Sequence, residues 1–473
     1  MGDHFHFGGG AGASTMHPVV LAATLLAALA VLFLPRRYAL LPAVWVVFLT
    51  PVGQQLYVGG FHFFVMRIII VTGLLKIVWM KVSAKTRIFS NGVQLIDKLF
   101  FVWAVLHAAT FILLFRDTGA VTYEIAFLLD ACLYVLARYF IQDREDVLRL
   151  AKTLALVATV LAACMGYEYL TRVNVFSYIN SYKIVPWVRD GRVRSQGTFA
   201  NSITAGVFGA TLLPLFFWLR KAGKARLLGV VGLAASGVIA VTSMASTGIM
   251  AFGAGILALC LWPIRKHMRA LRWGIVITVL GLALAMRAPV WFIIARVDFV
   301  GGHGWDRAAL IDATVRHFSE WWLLGATSTE NWGADTWDAC NQFVSEATSG
   351  GLATLIVFIA ILSRVFGMIG AARKRAEGSR RQEWFFWCLG AVLFAHVMGF
   401  WGIDYFDVIR TWWYIFLAMI PAATMAARAS VAERSQPELV SDAVAVAYVG
   451  QAAVADAVDA RVLSPSVSSR LFG

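Results

Sequence analysis

The stretch LFFVWAVLHAATFILLF, Leu99 to Phe115, contains no Asp, Glu, Lys or Arg and is long enough to cross the apolar slab of a bilayer as a helix. It is not alone, since Val19 to Leu34 reads the same way. Of the 473 residues, 60% are hydrophobic and 14% charged, whereas soluble globular chains run at roughly 45–50% and about 25%. Mean hydropathy is +0.72. These values predict one all-α polytopic membrane domain and exclude a string of soluble domains.

Working outward from Leu99, apolar runs place spans near 18–34, 39–57, 61–80, 99–116, 120–141, 150–170, 199–219, 227–245, 248–263, 273–296, 351–370, 384–401 and 411–427, or about 12–13 transmembrane helices. Basic clusters recur at every second connection: Arg36/Arg37, Lys76 to Lys98, Arg138 to Lys152, Arg220 to Arg226, Arg265 to Arg272 and Arg373 to Arg381. The positive-inside rule assigns that side to the cytoplasm. Residues 1–17 then form an outer tail, 18–427 the membrane domain, and 428–473 a cytoplasmic tail read as a short helix or disorder. The net charge of +14, from 41 basic against 27 acidic residues, fits an anionic leaflet better than nucleic acid, because the basic residues sit between apolar runs.

Of the five cysteines, Cys132, Cys164, Cys260 and Cys388 lie inside apolar runs, so neither a disulfide framework nor a thiolate metal site is expected. The N-terminus lacks the basic region of a signal peptide, and His4 and His6 read as floppy tail. There is no phosphate-cradling Gly-x-x-x-x-Gly-Lys-Ser/Thr loop, which argues against ATP-driven work. No repeat at a fixed period is visible, which weighs against an inverted-repeat transporter.

Two outer segments stand out by length, 171–198 and 298–350. The first reads Arg189-Asp190-Gly191-Arg192-Val193-Arg194-Ser195-Gln196-Gly197-Thr198-Phe199. Basic residues there run against the topological trend. A guanidinium fork matches a diphosphate and stays charged at any pH, while the plainer reading is arginines reaching for lipid headgroups. The second segment carries Asp306, Arg307, Arg316, His317, Glu320, Asp338, Asn341 and Gln342 among tryptophans at 305, 321, 322, 332 and 337. Asp306, Leu310, Ala313 and His317 have helical spacing. Arg307 and Arg316, nine residues apart, fall on opposite sides of such a helix. The tryptophans offer faces for sugar rings or, alternatively, form an aromatic belt. Within the spans, Arg67 and Asp130 are costly unless paired; similar depth makes an Arg67–Asp130 or Arg67–Glu124 pair feasible, as a structural pair or cavity lining.

A glycosyl transfer to a hydroxyl needs charge stabilisation at the leaving group and a proton acceptor. Arg192, Arg194, Arg307 and Arg316 are candidates for the first, with Gln196, Asn341 and Gln342 as further substrate contacts. Asp338, Glu320 and His317, with His303 and Glu346 behind them, are candidates for the second. The first outer turn, Pro51 to Gly60, has no carboxylate to hold a divalent metal. A reaction without metal or other cofactor is expected.

Three stretches resemble the O-antigen ligase and O-antigen polymerase superfamily of bacterial inner-membrane proteins. They are Arg192-Val-Arg194-Ser-Gln-Gly197-Thr-Phe199-Ala-Asn201 before a helix running through Gly206 to Pro214, Thr242-Ser243 through Ser246 and Gly248, and Trp337-Asp338-Ala-Cys340-Asn341-Gln342-Phe343 followed by Gly350-Gly351-Leu352. With the span pattern they cover roughly residues 150–420. The resemblance implies a GT-C-like glycan polymerase or ligase of the inner membrane. It would transfer glycan from polyprenyl (undecaprenyl) diphosphate to an acceptor hydroxyl at the periplasmic face during exopolysaccharide or O-antigen assembly, alongside other polysaccharide-assembly proteins. It carries Arg194 and Arg192 over as diphosphate contacts. The sequence departs from the family in lacking the arginine of Ser-Arg-Gly and in having Cys340 where many members place His. The competing readings are a lipid-linked oligosaccharide flippase and a non-catalytic membrane subunit.

Overall fold

The computed structural model describes residues 12–84, 88–89, 92–180, 182–189, 191–296, 304–333, 336 and 339–425. They are mostly helical. The long elements are α1 (Pro18–Phe33), α2 (Arg36–Leu49), the strands β1 (Gln55–Val58) and β2 (Phe61–Phe64), α3 (Val65–Ala84), α4 (Leu95–Phe115), α5 (Thr118–Phe140) and α6 (Arg144–Thr171). Next come β3 (Trp187–Arg189), β4 (Arg192–Arg194), α7 (Ser202–Arg220), α8 (Arg226–Thr242), α9 (Ser246–Cys260) and α10 (Met268–Ala285). The short α11 (Gly304–Arg316) and α12 (Phe318–Trp321) precede α13 (Gln342–Arg375), α14 (Arg380–Phe400) and α15 (Asp407–Met425).

Among the described residues eight helices are long and apolar enough to cross a membrane, which makes this a multi-pass membrane protein. They are α4, α5, α6, α7, α13, α14, α15 and the segment Trp262–Ala285 that contains α10. The shorter apolar α1, α8 and α9, together with α2 and α3, occupy the remaining expected spans.

Local chemistry sets the boundaries. Asp143 accepts the Asp146 N–H at 2.8 Å to start α6, and Arg172 ends it in the left-handed region. Gln94 and Asp97 form a reciprocal cap on α4. The expected span 39–57 is shortened, because α2 stops at Leu49 and residues 55–64 make a hairpin. Val58 pairs with Phe61 across Gly59-Gly60, whose φ values of +59° and +85° suit the two-residue turn that matches strand twist. The expected span 273–296 shifts toward the basic cluster: α10 ends at Ala285 and Val290–Arg296 forms a separate 3-10 turn after Pro289. The second outer segment ends earlier than expected, since α13 already begins at Gln342. The segments 1–11, 297–303 and 426–473, including His4, His6 and the tail expected after 427, lie outside the described residues.

At the centre, α7 packs on α8, α9 and α14. Its small residues permit this: a Cβ built on Gly248 of α9 would stand 2.9 Å from the Gly206 Cα. Around it α6 packs on α8, and α4 on α5 and α13. At the basic end Arg138 Nε donates to Asp97 Oδ1 at 3.1 Å with both side chains fully buried. By contrast α10 has no buried residue and, among the described residues, its main contacts are with its flanking 3-10 turns, which leaves its surface exposed.

Candidate functional site

The hairpin end of the bundle, where both two-stranded ribbons lie, gathers the polar groups. Its foundation is Glu168 near the end of α6, buried and accepting the backbone N–H groups of Gln196 at 3.2 Å and Gly197 at 2.9 Å. Three further ties fasten the same loop: Asn174 Nδ2 donates to the Gly197 carbonyl at 2.9 Å, the Ser195 N–H to Thr242 O at 3.0 Å, and Thr198 Oγ1 to Phe48 O at 2.9 Å. Residues 195–198 are thereby strapped to α2, α6 and α8, and β4 leaves this strap with a fixed direction.

Arg192 and Arg194 alternate with buried Val193 and so share a face of the ribbon. Arg192 is exposed. Arg194 is half-buried, and its Nε is buried without a hydrogen-bond partner. Burial, then the neighbouring charges of Arg189 and Arg307, hold the Arg194 guanidinium below its ordinary pKa. Guanidinium remains protonated despite such pressure, and the charge of Arg307, far away in sequence, is one of those acting on Arg194.

Arg307 comes from the first turn of α11, and its NH2 group donates to Thr247 Oγ1 at 2.9 Å. Thr247 Oγ1 in turn donates to the Gly402 carbonyl at 3.2 Å. The fit is close, since a Cβ on Gly402 would stand 2.4 Å from Thr247 Oγ1. Thr247 lies in the first turn of α9, whose N-cap, Ala245, has no polar side chain with which to cap it. N–H groups at a helix start carry partial positive charge.

Asn341 and Gln342 have structural work at this end. Asn341 Oδ1 caps α13 by accepting from Phe343 N at 2.9 Å and Val344 N at 3.3 Å. Gln342 Oε1 accepts from Tyr405 N at 2.5 Å, and its Nε2 donates to Glu346 Oε1 at 2.9 Å. The other Glu346 oxygen accepts from Trp103 Nε1 at 2.8 Å. These side chains join α13 to α4 and to the 401–406 turn that also meets Thr247. They position the turn, where free amides for glycan hydroxyls were expected. Gly351 breaks α13 at φ +73°, and there Leu352 N donates to Trp322 O at 2.9 Å, docking the end of α12.

At the far end of α11, His317 Nδ1 and Glu320 Oε1 are 2.7 Å apart, Trp332 Nε1 donates to Glu320 Oε2 at 2.9 Å, and the Trp332 ring stacks on His317 at 5.1 Å between centroids. These hydrogen bonds hold the Glu320 carboxyl below the usual carboxylate range. Ten residues separate His317 from Arg307, about 15 Å along a helix. Arg316 turns to Asp312 at 2.7 Å and is exposed, apart from Arg307. Asp338 and His303 lie outside the described residues.

Inside the bundle the expected Arg67–Asp130 pair forms as a fork, Nε to Oδ1 at 2.8 Å and NH2 to Oδ2 at 3.1 Å. Arg410 of α15 adds a third contact to Asp130 Oδ2 at 3.2 Å. Glu124 instead faces His107 Nδ1 at 3.4 Å. Sequence reading missed Arg410, Glu168 and Thr247. Arg410 fell just outside the expected span 411–427, but Glu168 showed the same signal as Asp130, an acid in an apolar run.

Among the described residues no three His, Cys, Asp or Glu side chains converge to hold a metal ion. No protein-family model matches the chain, and no curated protein matches it.

Proposed function

We propose that this protein is a GT-C-like glycan polymerase or ligase of the bacterial inner membrane, transferring a polyprenyl-diphosphate-linked oligosaccharide to an acceptor hydroxyl on the periplasmic side. The observation that carries the proposal is the contact of Arg307 with Thr247 at the start of α9, with Arg194, half-buried and its Nε without a hydrogen-bond partner, on the strand whose next residue, Ser195, is tied to the end of α8. Two guanidiniums and a helix N-terminus form a site for a compact dianion such as a diphosphate. A diphosphate leaves without needing a proton, so fixed positive charge aimed at the leaving oxygens supplies the main electrostatic stabilisation.

The likeness to the O-antigen ligase and polymerase superfamily supports the same assignment. The arginine of that family's Ser-Arg-Gly element is absent from Ser243-Met244-Ala245-Ser246, and just beyond it Arg307 brings a guanidinium from α11 to Thr247. The exposed helix α10 packs little against the bundle, which in this reading leaves a path for a polyprenyl chain arriving within the bilayer.

For the acceptor proton, the His317–Glu320 pair is about 15 Å along α11 from Arg307, too far to touch a sugar carbon bonded to a diphosphate held there. With Trp332 stacked on it, the pair suits contact with glycan farther along the chain. Asp404 takes the proton-acceptor role in this reading. It is half-buried two residues beyond Gly402, whose carbonyl contacts Thr247, which places its backbone within about 7 Å of that contact.

The test is polymer production in cells lacking the native protein and expressing Arg194→Lys, Arg307→Lys or Asp404→Asn, with protein level and lipid-linked repeat units measured together. Loss of long glycan at normal protein level, with repeat units accumulating on the periplasmic side, is expected. Accumulation on the cytoplasmic side identifies a flippase instead. Normal polymer from both arginine variants refutes the diphosphate site.

A further inference from the structure

At the opposite, basic end of the bundle lies a cleft of about 560 Å³ between the ends of α7, α9 and α14. Its walls are Trp218, Trp262 and Trp384, and its cations are Lys221, Arg380 and Arg381. A neighbouring cleft of about 400 Å³ shares Trp218 and Arg381 and adds Arg144. Both volumes are in the range of small-molecule sites.

The cations are displayed in an unusual way. Lys221 Nζ stands 4.1 Å from the centre of the Trp384 ring, and Arg144 lies 4.7 Å over Phe385. Nearby carboxylates are already engaged, Glu383 with Arg265 at 3.4 Å and Arg373 at 3.6 Å, and Glu145 with Arg149 at 2.9 Å. Among the described residues Lys221, Arg380 and Arg381 have no carboxylate partner. In addition, the Trp384 indole N–H is buried without a hydrogen-bond partner, although such a donor ordinarily finds one. Aromatic rings back Lys221 and Arg144, while Arg380 and exposed Arg381 complete the positive lining; the two clefts share Arg381, and Glu145 on the wall of the second is paired with Arg149.

We infer that these joined clefts bind the headgroup of an anionic phospholipid, with a lipid bearing two phosphodiesters preferred over one bearing a single charge. Phosphate oxygens accept from Lys221, Arg380 and Arg381 and from the Trp384 N–H. The acyl chains follow the exposed apolar track of Cys260, Leu257 and Ile256 up α9. That track distinguishes a lipid from a free phosphate, and basic pockets between membrane helices are the usual place for such headgroups. The inference is independent of the reading at the hairpin end.

The full-length protein in neutral detergent is titrated with diphosphatidylglycerol, phosphatidylglycerol, phosphatidylcholine and inorganic phosphate, with bound lipid counted by native mass spectrometry. Diphosphatidylglycerol is expected to bind tightest and phosphatidylcholine weakest. Lys221→Gln/Arg381→Gln is expected to weaken diphosphatidylglycerol roughly thirty-fold. Trp384→Phe, which removes the N–H and shortens the aromatic wall while keeping an aromatic face toward Lys221, weakens it several-fold. The control Arg269→Gln/Arg272→Gln, basic residues at the same end but outside the clefts, leaves binding unchanged. Equal weakening in the control shows a diffuse surface charge and overturns the site. Equal affinity for phosphatidylcholine overturns the headgroup, and full competition by inorganic phosphate at the lipid's own concentration overturns the lipid. Each variant's unfolding temperature is recorded, and the single variant Lys221→Gln decides the matter if the double does not fold.

Discussion

Replacing Asp130 by asparagine removes one charge and leaves two guanidiniums without their anion. Arg67 donates to Asp130 at 2.8 and 3.1 Å and Arg410 at 3.2 Å, and the Asp130 side chain is 3% exposed. Removing one partner of a buried ion pair costs about 3–5 kcal/mol, because the survivor stays desolvated; here the substitution strands two. Replacing Arg67 or Arg410 by methionine is different, since Asp130 keeps the other guanidinium. Each of these losses is expected to cost about 1.5–3 kcal/mol, the worth of hydrogen bonds to a charged group. The order of destabilisation is therefore Asp130→Asn first, with either arginine variant behind it. Combining Arg67→Met with Asp130→Asn should cost less than the sum of the two by at least about 1 kcal/mol, because one stranded charge is removed. Reversible denaturant unfolding in micelles, followed by far-ultraviolet circular dichroism, measures the parent and all four variants. An Asp130→Asn protein within about 1 kcal/mol of the parent, or no less stable than Arg67→Met, refutes the triad as a stability element.

Three other outcomes follow from particular contacts. Glu168→Gln places an N–H2 donor against the backbone N–H groups of Gln196 and Gly197, so it should loosen the strap and reduce polymer output while lipid binding at the basic end, read by native mass spectrometry, stays at the parent level. Gly248→Ala puts a methyl 2.9 Å from the Gly206 Cα and should destabilise the α7–α9 packing by about 1–3 kcal/mol in the same unfolding assay. Glu320 has its folded pKa depressed by His317 and Trp332. Its tie is therefore fully present above the unfolded carboxylate pKa, near 4.5, and is lost as pH falls through the depressed folded value. Protection factors for residues 304–333, with exchange rates corrected for the intrinsic pH dependence of amide exchange, should fall on acidification in the parent and show a weaker pH dependence in Glu320→Gln.

The amount legible in sequence follows from how far each signal reaches. Apolar runs and alternating basic clusters are local, and an expected span overlaps each long helix, although α2 and α10 end short of theirs. They failed at Gln55–Phe64, where aromatic strand residues are as hydrophobic as a span, and only the Gly59-Gly60 turn separates the two cases. They also failed at α13, because Glu346 and Gln342 made its first turns look like loop, though both side chains are satisfied inside the fold. The Arg67–Asp130 pair was legible because charges at matching depth in a membrane must find each other. The action of the Arg307 charge on Arg194 was not, since the two lie on separate loops and nothing local links them. Likewise Asn341 and Gln342 read as ligand-binding amides until their partners at Trp401, Tyr405 and Glu346 were visible.

Thr247 gives the sharpest separation between a site that is built and one that is only adjacent. Its hydroxyl does two jobs at once, accepting from Arg307 at 2.9 Å and donating to Gly402 O at 3.2 Å. Valine keeps the shape and deletes both bonds. The Gly402 carbonyl is then left without that donor, at about 1–3 kcal/mol, and the Arg307 guanidinium loses the contact that aims it. Serine restores the hydroxyl while leaving a methyl-sized gap. If Arg307 binds substrate, Thr247→Val should raise the donor concentration needed for half-maximal transfer by purified protein in bilayers, and Thr247→Ser should recover most of the loss. Arg307→Ala combined with Thr247→Val should be no worse than Arg307→Ala alone, because the threonine then has no guanidinium to aim. If Thr247 is only a packing residue, the valine variant instead lowers stability with donor dependence unchanged, and the two substitutions add. An additive result removes Arg307 from the donor site and leaves Arg194 as the sole guanidinium to which the diphosphate is assigned.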